Sequence, residues 1–329
     1  MNKTFKVVFN RARAGLMVAN EITSSVQKKG TRTVLAIAAL CLGVSLAHAE
    51  NVTDAKIVWD EATTPTGSNV IHSEYLNVPG VDENKNNKMP TALFISRGAS
   101  GTLTDADVLI KANNESHPYP PAVRGVFQKD GGNVVFDGST ASFYAESNHT
   151  GSGNSELSAF TNYDGITTFK ADKTSFAAKS TYENGKYAVG LEAYGDKGKQ
   201  NAVFSFEGKI VDINVDSVVD RTTDIKDANR RGGVVGVSAT FGQITSKADV
   251  FNVTVNSSGT TVAPADQKLN ATGEKYESAA PDNKVGAADA WGIESAGSRV
   301  DIAGQTNVTV TAKGGKATGL NAKDHFYTS

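Results

Sequence analysis

The feature that most limits what this chain can fold into is a strand motif that returns at uneven intervals. Ala188-Val189-Gly190-Leu191-Glu192-Ala193 is echoed by Val234-Val235-Gly236-Val237-Ser238-Ala239 and by Ala290-Trp291-Gly292-Ile293-Glu294-Ser295. A weaker copy follows at Ala317-Thr318-Gly319-Leu320-Asn321-Ala322, and Val123-Arg124-Gly125-Val126 reads as an earlier one. Two copies lead into matching strands, Phe251-Asn252-Val253-Thr254-Val255 and Thr306-Asn307-Val308-Thr309-Val310, with Ile213-Asn214-Val215 as the counterpart in the preceding unit. Polar inserts near 220–232 and 256–288 account for the longer gaps. A stacked coil tolerates this pattern, because each coil pairs only with its neighbours and insertions escape outward as loops. The expected fold is therefore all-β, a right-handed parallel β-helix. An irregular β-sandwich is the alternative, since alternation alone does not separate the two.

The rest of the chain after residue 49 agrees with β-structure. No stretch sustains the three-and-four apolar spacing of a helix. Short β-branched runs recur instead between Gly, Asn and Asp turn signals, at 107–110, 133–136, 202–206, 210–215, 250–255 and 307–311. In Phe251–255 and 306–310 every second side chain is apolar, which places one side of each strand in a core and the other in water. Residues 50–90 read as a cap or linker, with IVWD and NVIHSEYLNV as early strands and the loop 82–88 in solvent. Equivalent asparagines at Asn214, Asn252 and Asn307 are expected to stack as a structural ladder.

The first forty-nine residues have another character. Of the chain's 33 Lys/Arg and 35 Asp/Glu, seven bases and one acid (Glu21) lie through Ala49, so the remainder carries about −8. Such a surface repels phosphate backbones and argues against nucleic-acid binding. An uncharged run at 34–47 is too short to span a bilayer as a helix, and suits the helical core of a cleavable secretory signal. Lys28, Lys29 and Arg32 precede it, and Ala47-His48-Ala49 follows with small residues where signal peptidase requires them. Cleavage after Ala49 makes Glu50 the new N-terminus. Cys41, the single cysteine, lies within the run behind Leu40 rather than a small residue, so a lipoprotein signal does not fit. The exported part then has no disulfide or cysteine nucleophile.

A further segment lies upstream of that signal. Asn2-Lys3, then Phe5-Lys6-Val7-Val8-Phe9-Asn10, then Val18-Ala19-Asn20-Glu21, resembles the extended signal peptide region of autotransporters and related type V secretion proteins. The family usually has Trp where Phe9 stands and Ser where Asn20 stands. The resemblance implies export by the Sec translocon, removal by signal peptidase, and a passenger that is often a β-helix with small-Gly-aliphatic strands. It divides the chain into an extended signal region at 1–24, a Sec signal at 25–49, the cap or linker at 50–90 and a repeat passenger at 91–329. No heptads follow Glu50 and no NPNG-like motif is present, which leaves the single-chain autotransporter. That type ends in a membrane barrel of many amphipathic strands. None is seen here, so a chain cut short within its array is expected.

Catalytic patterns are thin. Gly151-Ser152-Gly153 is not the strand-to-helix nucleophile elbow, and the GDSG motif of serine protease autotransporters is missing. His72, His117 and His149 have no spacing that places two on one face. Asp212, Asp216, Asp220 and Asp224 recur every four residues, and Asp212 and Asp216 share a strand side, as paired carboxylates of polysaccharide-cleaving β-helices do. Solvent-facing charge is the simpler account of them. The G-G-x-G-x-D calcium repeat is missing, and no catalytic residue, cofactor or metal is expected. The functional expectation is a non-enzymatic surface adhesin or self-association protein, binding host-surface or sister-cell ligands at the cell surface or outer membrane. The alternatives are a polysaccharide-acting hydrolase, or a truncated product without function that stops in the periplasm.

Overall fold

The computed structural model describes residues 5–10, 15–20, 50–53, 57–62, 65, 69–75, 90–112, 122–147, 156–180, 187–218, 220–222, 233–258, 268–269, 276–277, 284–287, 289–313 and 316–323. The chain forms two compact units, Met1–His48 and Ala49–Ser329. In the first, Phe5–Asn10 pairs antiparallel with Gly15–Asn20 in continuous register, Phe5 opposite Asn20 and Asn10 opposite Gly15. These residues are extended, not helical. Alternating Phe5, Val7 and Phe9 give the segment strand rather than helix periodicity. The run at 34–47, where the signal helix is expected, lies outside the described residues.

In the second unit the strands stack as a parallel β-helix. Three parallel sheets of six, eight and eight strands run along it, and every ladder in them is parallel. A coil passes through a third-face strand, a first-face strand and a second-face strand before rising to the next level. Thus Val123–Gln128, Asn133–Asp137 and Thr140–Ser147 make one coil, and Glu156–Asn162, Gly165–Phe169 and Lys173–Ser180 the next. Tyr187–Tyr194, Ala202–Phe206 and Ile210–Ser217 follow, then Gly233–Thr240, Gln243–Ser246 and Val250–Ser258. Asp289–Ala296, Arg299–Ile302, Gln305–Lys313 and Ala317–Lys323 continue the array. Before these, Thr91–Ile95, Ser100–Thr104 and Asp107–Ala112 make a coil, and residues 50–75 add Glu50–Thr53 and Val70–Tyr75 to the second face and Ile57–Trp59 to the third.

The three corners differ. From first to second face the chain turns in two or three residues, as at 105–106, 138–139 and 303–304. Each two-residue turn contains a left-handed residue, Asp105 (φ 52°), Gly138 (φ 100°) or Gly304 (φ 83°). Asp105 Oδ1 also accepts the Ser139 and Thr140 N–H groups of the coil above, at 2.6 and 3.0 Å. All long inserts leave instead between the second and third faces. There Asp220–Thr222 pairs antiparallel with Lys284–Ala287, so the inserts of two successive coils meet, and Lys268–Leu269 pairs with Tyr276–Glu277.

The repeated glycine motif occupies one position of the third face. Gly190, Gly236, Gly292 and Gly319 are aligned in successive strands, with Gly125 and Ala159 in the same column before them. The reason for glycine is space: a Cβ on Gly236 would lie 2.3 Å from Val253 Cγ1 and 2.6 Å from Gly292 O. At this column the inward alternation slips by one residue. Ala188, Leu191 and Ala193 enter the core, as do Val234, Val237 and Ala239. The strand therefore bends around the corner of the prism. Inside, phenylalanines stack coil on coil: Phe136 on Phe169 at 5.5 Å, Phe143 on Phe176 at 5.1 Å and Phe169 on Phe206 at 4.8 Å between ring centroids.

Candidate functional site

Among the described residues, a buried group of ionisable side chains lies on the third face, turned away from the phenylalanine core. The slip at the glycine column gives this strand two sets of outward residues. Arg124 precedes Gly125, Ser158 and Thr161 flank Ala159, and Glu192 follows Gly190, all in adjacent, in-register strands. Arg124 is 3% exposed and Glu192 7% exposed. Arg124 donates from Nε to Glu156 Oε1 (3.2 Å) and from a terminal nitrogen to both Glu156 oxygens (3.0 Å each). It also donates to the Tyr163 hydroxyl at 3.2 Å. Its guanidinium lies 4.5 Å from the Phe127 ring centroid and 5.5 Å from that of Tyr163, a stacked cation over two rings.

One buried cation therefore faces two carboxyl groups. Glu192 is held by Thr161, whose hydroxyl lies 3.1 Å from Glu192 Oε2 and 2.7 Å from Ser158 Oγ. Burial pushes the Glu192 carboxyl up to about 8, and the neighbouring Glu156 adds to that. Arg124 and the Thr161 hydrogen bond pull the other way. The net shift favours the protonated form of Glu192. Burial raises the Tyr163 hydroxyl as well, which keeps it neutral as a hydrogen-bond partner. An edge of aromatic rings borders the group, Phe94, Phe127, Tyr163 and Tyr194 meeting in sequence at 5.7, 5.1 and 5.4 Å between centroids. The arrangement ties three coils together and separates a protonated acid from an arginine-paired one.

The residues singled out from sequence are placed elsewhere. Asp212 and Asp216 do share the outer side of one second-face strand, Ile210–Ser217. Asp212 is bound to Lys173 at 3.0 Å and to Asn252 Nδ2 at 2.8 Å, and Asp216 is aligned with Lys179 and raised by burial against that lysine's pull. They belong to columns of mixed charge along this face. In the same set, Lys179 lies 3.6 Å from Glu146, which accepts the Tyr144 hydroxyl at 2.6 Å. Asp220 starts the short strand Asp220–Thr222, and Asp224 lies outside the described residues. His72 Nε2 lies 3.0 Å from Asp107 Oδ2. His117, His149 and the Gly151-Ser152-Gly153 segment fall outside the described residues.

The asparagine ladder exists with one member changed. Asn307 donates to Asn252, and Asn252 to Asp212, each at 2.8 Å. Asn214 is not in it, because the register sets Ile213 opposite Val253 and Asn214 opposite Thr254. The aspartate one pleat earlier takes the place. Of the export-signal residues, Phe5, Lys6, Val7, Val8, Phe9 and Asn10 form the first strand of the N-terminal pair, whereas Asn2, Lys3, Glu21, Ala47 and Ala49 lie outside the described residues. Glu50 opens the second-face strand Glu50–Thr53, opposite Ile71. The Arg124–Glu156–Glu192 group was not foreseen. Its one sequence signal is a charged residue at Arg124 and Glu192 inside a motif otherwise made of small and aliphatic residues.

No curated protein and no solved structure matches the chain. One family model does, described as the Extended Signal Peptide of Type V secretion system, over residues 1–49. The chain therefore opens with a type V secretion signal that directs it across the inner membrane, consistent with the N-terminal region of an autotransporter.

Proposed function

We propose that the exported β-helix is a non-enzymatic passenger that acts by adhesion or self-association. The observation that carries this reading is the distribution of its carboxylates. Among the described residues no three His, Cys, Asp or Glu side chains form a group able to hold a metal ion. The outer carboxylates of the second face are engaged by lysine or asparagine neighbours in regular columns, as at Asp212 and Glu146. A long prism with inserts leaving at one corner offers area rather than a cleft. Beads coated with residues 50–329 are expected to clump with one another or bind host cells. Beads that remain dispersed and unbound over the range of pH and salt tested would overturn this reading.

A second reading rests on the Glu156–Glu192 pair. A protonated carboxyl beside an arginine-bound carboxylate is the division of labour that acid–base hydrolysis of a glycan needs, and Tyr163 and Tyr194 border it. Release of reducing ends from polysaccharide, lost in Glu192→Gln, would favour this hydrolase. The surface or outer-membrane destination belongs to the same proposal. N-terminal sequencing of exported protein should begin at Glu50, and a retained Met1 would refute processing there.

A further inference from the structure

Among the described residues, the outer side of the first face differs from that of the second in having two neighbouring rows without charge. Its outward positions run in register from coil to coil: Thr102, Val135, Thr168, Ser205 and Thr245 in one row, and Ser100, Asn133, Ile166, Val203 and Gln243 in the next. Neither row carries a charge over these five strands; the sixth, Arg299–Ile302, adds Arg299 and Asp301, paired with each other at 3.2 Å, at the ends of the rows. Asp137, beside them, has Oδ1 2.7 Å from the N–H of Gly138 at the turn. Ile166 near the middle is 43% exposed, a large β-branched side chain offered to solvent. The second face of the same coils carries Lys111, Glu146, Lys179 and Asp216 in a single row.

We propose that the five uncharged strands of the first face dock a second copy of the chain, face to face through the same rows. This deepens the self-association reading above and rests on it. Two copies each carrying about −8 repel one another, so close approach is least opposed where the surface lacks charge. The axial period supplies the rest. Strands are about 4.8 Å apart, and a second copy has the same repeat, so every row meets an equivalent row across a two-fold axis. Five strands about 17 Å long give a footprint of about 400 Å² per partner. The pair then buries about 800 Å², under the roughly 1,200 Å² of a stable complex. The contact is accordingly weak between single molecules and becomes effective when many copies are displayed together.

The test uses beads coated with residues 50–329 and the same protein in sedimentation. Wild-type beads should clump reversibly, more strongly as salt rises to about 0.15 M and screens the net charge, while free protein stays largely monomeric. Ile166→Lys should abolish clumping, as should Thr168→Lys, with melting temperatures unchanged. Ala177→Lys on the second face should leave it intact. Mixing Ile166→Lys beads with Ile166→Glu beads should restore mixed clumps, a result that only a homotypic first-face contact gives. Clumping that survives both first-face lysines would overturn this docking site and leave self-association standing. A wild type that never clumps but still binds host cells would overturn self-association and leave adhesion standing.

Discussion

The first and third faces are built by the same coils, yet they treat their outer sides in opposite ways. First-face strands alternate strictly, Phe204 and Phe206 inward, Val203 and Ser205 outward. Third-face strands slip at the glycine column, and Val189, Val235, Arg124 and Glu192 are buried although they are not part of the phenylalanine core. Around the glycine column from Val123 to Ala239 one face is thus closed on both sides, and the other is half open. Stability should depend on the outward residues of the third face and hardly at all on those of the first. A β-helix in this sense assigns holding together and contact with partners to different faces.

The largest effect expected on this comparison is at the bend itself. Gly236→Val sets its Cβ against Val253 Cγ1 and the carbonyl of Gly292, and a backbone oxygen cannot rotate away. A loss on the order of 5 kcal/mol is expected, read as a collapse of the urea midpoint with amide protection lost around 233–258. A midpoint near wild type would mean that the column is not tightly packed. Next comes Arg124→Met, which leaves the buried Glu192 and the half-buried Glu156 without their cation. Breaking a buried pair in this way costs about 3–5 kcal/mol. Coupling to Glu156 can be checked by adding Glu156→Leu, which should recover part of the loss.

How much of this was legible follows the same division. The glycine column was readable because a Cβ would meet atoms closer than 3 Å at Gly125, Gly190, Gly236 and Gly292, so the residue recurs whatever the loops do. The copy centred on Ala159 escaped notice because alanine has taken the glycine's place between Ser158 and Phe160. First-face strands such as Gly165–Phe169 and Gln243–Ser246 are short and rich in Thr and Gln, and local propensity gives them little voice. Their real signature is at longer range: Phe136 and Phe143 before and after a turn, then Phe169 and Phe176 in the same relation one coil later. The Asn214 misassignment is a two-residue slip, one full pleat, which keeps the side chain on the same side of the sheet but moves it to the next row. The Arg124 cluster depends on three strands meeting, and no local pattern encodes that.

A smaller, pH-dependent effect belongs to Glu192. Its folded value is raised to about 8 from an unfolded value near 4.5. Between these, the folded state holds a proton that the unfolded state has released. Stability is therefore fully present below about pH 4.5 and falls as pH rises through about 8, with a slope of at most about 1.4 kcal/mol per unit. Glu192→Gln keeps a neutral hydrogen-bonding side chain and should flatten that slope, leaving the variant equal to wild type at pH 4.5 and more stable at pH 8. Parallel stability curves for the two proteins across this range would place the buried proton on another group.

The smallest expected change is on the open face. Ile166→Thr keeps a β-branched side chain on the strand Gly165–Phe169 while removing apolar surface that is already 43% exposed. The stability change should stay within about 0.5 kcal/mol, the range of ordinary surface substitutions. If the face is a docking surface, the same substitution should weaken bead clumping while the urea midpoint stays put. If instead the midpoint falls by as much as it does for Arg124→Met, Ile166 is holding the coil together. The division between a sealed face and an open one would then be wrong.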